Sequence, residues 1–154
     1  MAEHSESIST LNTLIATTTD SINGYEKSAD EINDQRLQQI FRQRANDRQQ
    51  VVQKLREEVR RLGGDPDDGG SLMGKAHQAF EGLKSAVTGG DEKSIIDEVE
   101  RGEDYLKEKF ETALNADTLS GDARQCVEEC YQSVKSGHDQ MSQLKHGMES
   151  QSND

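Results

Sequence analysis

Between Ile8 and Ile32 the apolar residues Ile8, Leu11, Ile15, Ile22, Tyr25, Ala29 and Ile32 recur at alternating spacings of three and four, with Thr18 in the one gap. That period puts them on one stripe of a helix nearly four heptads long. Ser7 or Ser9 is expected to cap its start. Asn33-Asp34 is expected to end it and to cap the next helix. The second helix is read from about Gln35 to Leu62, with Leu37, Phe41, Val51, Val52, Leu55, Val59 and Leu62 on its inner side. Its stripe has a flaw: continuing the heptads puts Arg44 and Arg48 where apolar residues belong. Gly63-Gly64 supplies the left-handed C-terminal cap.

The stretch from Leu62 to Leu72 holds the sole proline, Pro66, and four glycines, so no helix runs through it. Ser71 is then read as the cap of a shorter amphipathic segment, Leu72 to about Val87, with Leu72, Ala76, Phe80, Leu83 and Val87 on one face. Gly89-Gly90 closes it, and Asp91 opens a third long helix ending near Asn115, with Ile96, Val99, Glu103, Leu106, Phe110 and Ala113 inward. Ser120 caps a fourth, where Ala123, Val127, Cys130, Val134, His138, Met141, Lys145 and Met148 fall in register. No internal repeat is present.

Short links at Asn33-Asp34 and near Asp117 make each pair of long helices an antiparallel hairpin. The long middle connection lets helices 2 and 3 run parallel, which a simple meander would not need. The expected fold is therefore all-α: a ferritin-like up-down-down-up four-helix bundle with an additional short crossover helix between helices 2 and 3. Residues 8–148 form the bundle, with flexible tails at 1–7 and 149–154.

Composition constrains this picture. Hydrophobic residues make up only 31% of the 154 and charged residues another 31%, a balance that raises disorder as an alternative. The regular stripes decide against it, because long thin helices need only a narrow apolar seam. The net charge of −12 repels phosphate backbones and anionic headgroups, so neither nucleic acid nor membrane is expected as a partner. No apolar run approaches the ~20 residues of a membrane span. The first residues lack the basic and apolar regions of a secretory signal. A cytoplasmic location and reduced cysteines are the expectation.

The runs Leu11-Asn12-Thr13-Leu14-Ile15, Arg60-Arg61-Leu62-Gly63-Gly64-Asp65-Pro66, Leu83-Lys84-Ser85-Ala86-Val87-Thr88-Gly89-Gly90-Asp91 and Glu100-Arg101-Gly102-Glu103-Asp104 resemble a bacterial family of ferritin-like bundles known only as a domain of unknown function. The resemblance covers about Ser7 to Met148. It implies the fold and no activity, since one fold hosts many functions.

Metal chemistry in this fold takes a Glu from each of two helices and a Glu-x-x-His from each of the other two. The chain has no Glu-x-x-His; at Lys135-Ser136-Gly137-His138 a lysine replaces the carboxylate, and Asn46-Asp47-Arg48-Gln49 offers neither ligand. The ferritin pattern puts a ligand seven residues before a tyrosine, yet Thr18 precedes Tyr25 by that interval. His138 falls inward, level with Asp97 and Glu100. It is read as a partly buried histidine bonded to one of them; the alternative is a reduced iron or zinc site made of His138, Glu100 and Asp97.

Arg44 and Arg48 have two readings. Either their stems pack at the seam edge with the guanidinium groups in solvent, or they turn inward to Glu26, Glu100 or Glu103. The second gives a core polar network of Arg44, Arg48, Glu26, Glu103 and Tyr25. Cys126 and Cys130, one turn apart, are read as two buried thiols whose geometry strains a disulfide. His4, His77 and His146 are read as surface residues. The glycine pairs at 63, 69 and 89 lack the context of phosphate loops and serve as caps and turns.

No catalytic constellation is complete, and no cofactor is expected. The function expected is that of a non-catalytic, stress-associated bundle acting by self-association into a homo-oligomer or through a protein partner. The alternative is a metal-binding or redox protein with a non-standard site around His138.

Overall fold

A computed structural model describes residues 2–66 and 92–152 of the chain, and these form four long helices: α1 (Ala2–Glu31), α2 (Gln35–Arg61), α3 (Glu92–Asn115) and α4 (Gly121–Ser152). The predicted crossover helix at 72–87 lies outside the described residues, as do its Ser71 cap, His77, the glycine pairs at 69 and 89, and Asp91. So do the side chains of His4 and Met148.

Each boundary has a local cause. Asp34 caps α2, its carboxylate accepting the Leu37 N–H at 3.0 Å. At the other end Gly63 adopts φ +86°, a conformation open to glycine at little cost. The N–H of Gly64 then reaches Val59 C=O and the N–H of Gly63 reaches Arg60 C=O, both at 3.0 Å, the paired bonds of a Schellman motif.

Helix α1 starts earlier than its seam suggested, at Ala2, so neither Ser7 nor Ser9 is its cap. Ser7 is buried and has another task. It donates to Thr118 C=O and accepts the Ser120 N–H, while Thr10 and Thr118 share a hydrogen bond. The start of α1 is thereby tied to the α3–α4 link. At the other terminus, α4 continues to Ser152, past the expected tail boundary.

Helix directions follow from which residues meet. Asn12 donates to Asp65 C=O while Asp30 pairs with Arg42, so α1 and α2 are antiparallel. Glu111, Asp104 and Asp97 of α3 meet Tyr131, His138 and Lys145 of α4: seven residues back for every seven forward. Thr118 lies against Thr10 and Glu103 against Tyr25, which sets α3 antiparallel to α1. Arg48 reaches Ser133 and Arg61 reaches Asp122, which sets α4 antiparallel to α2. Helices α2 and α3 therefore run parallel across the bundle. The main packing contacts are α1 with α2, α3 with α4, α1 with α3 and α2 with α4.

The core is continuous through all four helices. Leu11, Ile15, Phe41, Leu55, Leu106, Phe110, Val127, Val134 and Met141 are each essentially inaccessible to solvent. Burying a side chain of that size stabilises by about 1.5–3 kcal/mol. A narrow stripe on each of four helices is thus enough to hold a chain this polar. Tyr25 and Phe41 pack with ring centroids 5.8 Å apart and planes tilted by 55°.

Candidate functional site: a buried Tyr–Glu–Arg network

Halfway along the bundle the apolar core gives way to charge. Arg48 is fully buried and Glu103 is 1% exposed. Nη2 of Arg48 donates to both carboxylate oxygens of Glu103, at 2.6 and 2.8 Å. The Tyr25 hydroxyl donates to the same carboxylate, Oε1, at 2.6 Å. Three helices thus meet in one acidic group: Tyr25 from α1, Arg48 from α2 and Glu103 from α3.

The fourth helix contributes by absence. A Cβ placed on Gly137 of α4 would lie 2.6 Å from Arg48 Nη2 and 3.0 Å from Arg44 Cδ. Gly137 is the notch into which the guanidinium fits. Its neighbour Ser133 offers a carbonyl to Arg48 Nη1 at 3.4 Å.

Electrostatics favours this closed arrangement. A buried carboxylate and a buried guanidinium each cost several kcal/mol to desolvate, and their pairing offsets that cost only when further hydrogen bonds complete the shell. Tyr25 supplies a short one to the carboxylate and Ser133 a longer one to the guanidinium, which among the described residues leaves the shell one partner short at Nε of Arg48. Burial first, and the negative charge of Glu103 second, hold the Tyr25 phenol well above its ordinary pKa. Tyr25 is therefore a neutral donor at any physiological pH. Nε of Arg48 and Nε of Arg44 have no hydrogen-bond partner among the described residues.

Two residues placed in this network by register do not join it. Glu26 is exposed, because Tyr25 takes the inward position and its neighbour turns about 100° away on the helix. Arg44 is buried along its stem but pairs within its own helix, Nη1 to Asp47 Oδ2 at 2.8 Å. With Glu103 already held by Arg48 and Tyr25, Arg44 takes the nearest carboxylate, one turn away.

His138 is also displaced from its expected place. Gly137 takes the buried position, which leaves His138 at the bundle edge. Its Nε2 lies 2.5 Å from Asp104 and its Nδ1 lies 3.3 Å from Asp139. The partner expected was Asp97 or Glu100. The heptad ladder between α3 and α4 instead brings Asp104 level with it. Both of those carboxylates belong to Lys145, whose ammonium is 3.1 Å from Glu100 and 3.5 Å from Asp97. The two ring nitrogens of His138 face different aspartates and do not converge on a shared point. Among the described residues no group of three or more His, Cys, Asp and Glu side chains is arranged to hold a metal.

Thr18, seven residues before Tyr25, is buried and returns its hydroxyl to Leu14 C=O at 2.7 Å. Cys130 is buried as expected, but Cys126 is only half-buried. His146 is exposed. Gly137 and Asp104 are the residues that the sequence reading did not single out.

The family described as Domain of unknown function (DUF2383) matches residues 6–116. The chain belongs to this family. No curated protein matches it. The DUF2383 match spans α1, α2 and α3 and ends at the α3–α4 link, short of the Met148 limit read from the sequence runs. Tyr25, Arg48 and Glu103 all fall inside it, whereas Gly137, which makes room for the guanidinium, lies beyond it. No helix among the described residues is long and apolar enough to cross a membrane.

Proposed function

We propose that the protein is a ferritin-like, non-catalytic bundle in which an ion pair occupies the space that metals fill in active members of that fold. The observation that carries this reading is the Tyr25–Glu103–Arg48 network. A metal centre in this fold needs several carboxylates and histidines converging from four helices. Here one buried carboxylate converges with a fixed positive charge, and that charge takes the cation's place. The parallel run of α2 and α3 supports the ferritin-like placement.

With its centre closed, the bundle has its surface left to work with. It acts by self-association or by binding a protein partner, in the cytoplasm, and the acidic surface keeps it from nucleic acid and anionic membranes. The test is elemental analysis of protein purified without chelator or affinity-tag metal, followed by iron and zinc titration and by sedimentation at graded concentration. The reading expects no stoichiometric iron or zinc, together with concentration-dependent assembly or a stable complex with a partner protein. Stoichiometric iron or zinc that disappears in His138→Ala would overturn it in favour of a reduced site around that histidine.

A further inference from the structure

Both cysteines lie on one face of α4, one turn apart, where α4 packs against α2. Cys130 is 1% exposed and forms part of the core. Cys126 is half-buried and lines an open cleft of about 360 Å³ between the two helices. Its thiol approaches the Lys54 carbonyl at 3.8 Å.

The rim of that cleft is charged. Glu57, Glu58, Asp122 and Glu129 stand against Lys54 and Arg61. Four carboxylates against two cations give a field that gathers cations and repels anionic oxidants or anionic thiols. Cys126 is therefore better placed to meet a metal ion than to meet glutathione, with Cys130 buried one turn away along α4.

The number of donors selects the metal. Tetrahedral zinc needs four ligands, and no third His, Cys, Asp or Glu is arranged with the two sulfurs among the described residues. Two thiolates alone satisfy a soft d10 monovalent cation that accepts two-coordination, and soft sulfur ligands select Cu(I). We propose that Cys126 and Cys130 form a two-coordinate Cu(I) site on the α2–α4 seam.

The chemistry balances without a redox step. One Cu(I) replaces the two thiol protons, two Cu–S bonds form, both protons go to solvent, and copper and sulfur keep their oxidation states. The bis-thiolate product carries one negative charge, and the Lys54 ammonium at the cleft offsets it. Cys126 lines the cleft and is the first sulfur an entering cation meets; the cation then displaces the proton of Cys130, buried one turn along the same helix.

This inference is independent of the reading of the bundle centre, since neither thiol touches Tyr25, Glu103 or Arg48 in any hydrogen bond or ion pair. It is tested by anaerobic titration of the reduced full-length protein with Cu(I) against a chromophoric chelator, with Zn(II) in parallel. The expected result is one equivalent of Cu(I) withdrawn, thiolate-to-copper charge-transfer absorption, two protons released, and Cys126 protected from iodoacetamide. Changes outside the ligand shell alone cost 10–100-fold, so Cys126→Ser and Cys130→Ala should each weaken binding by about a hundredfold or more. If Cys130→Ala fails to fold, Cys126→Ser and wild-type protein alkylated at Cys126 carry the same test. No copper withdrawn, one equivalent held equally tightly by Cys126→Ser, or zinc bound as tightly as copper would overturn the proposal.

Discussion

A Cβ at Gly137 would stand 2.6 Å from Nη2 of Arg48, the nitrogen that spans both oxygens of Glu103. A glycine inside a helix normally costs about 1 kcal/mol relative to alanine. Gly137→Ala should nevertheless destabilise the protein, by about 1–3 kcal/mol, because the added methyl forces the guanidinium away from its carboxylate. Gly147→Ala, also in α4, is the control: nothing lies within 4 Å of its Cβ position, and it should gain up to about 1 kcal/mol. Urea denaturation of the two variants checks the contrast. Equal gains from both would show that Arg48 does not depend on the notch.

Tyr25 gives the network a signature in alkaline solution. Its folded pKa is raised, by burial first and by Glu103 second. The folded state keeps this proton at a pH where the unfolded chain, near pH 10, has lost it. Stability from this group is therefore complete below about pH 10 and falls as pH climbs toward the folded pKa. Tyr131 is also raised, to about 12 through its bond to Glu111, so Tyr131→Phe is the background in which to measure. There, Tyr25→Phe should be less stable at neutral pH and should show a shallower alkaline decline. An unchanged slope would mean that Tyr25 is solvated.

His138 and Asp104 should matter little. The pair sits at the bundle edge, with Asp104 59% and His138 16% exposed on their side chains, and a pair open to solvent on one side contributes about 0–1 kcal/mol. Asp104→Asn, which removes the carboxylate and leaves the imidazole packed, should cost no more than that. Iron and zinc content should not change. A loss of several kcal/mol would place His138 inside the core network instead.

Much of this fold was legible in the sequence. The four stripes gave all four helices, because each stripe had to be apolar to bury anything in so polar a chain. Register led to Arg48 and Glu103, since a charge on an inward heptad needs a partner on a facing one. Register alone did not separate Arg44 from Arg48, because both lie on the same face and only packing decides which reaches the centre. Glu26 was misplaced for a related reason: one residue along a helix is a turn of about 100°, enough to move a carboxylate from core to solvent. His138 was set against the wrong pair of carboxylates by about one turn, because a short link fixes direction but not stagger. Gly137 left one signal, a mid-helix glycine far from any cap, and its meaning became clear only once Arg48 was seen beside it.

The central claim is that Arg48 and Glu103 are one buried unit, and a double-mutant cycle tests it most directly. Arg48→Met and Glu103→Leu are made singly and together, and unfolding free energies are compared with wild type. Each single change leaves an unpaired buried charge and should cost about 3–5 kcal/mol, whereas the double replacement should cost far less. The predicted coupling is thus several kcal/mol. Near-additive effects, with each single variant close to wild-type stability, would contradict the account.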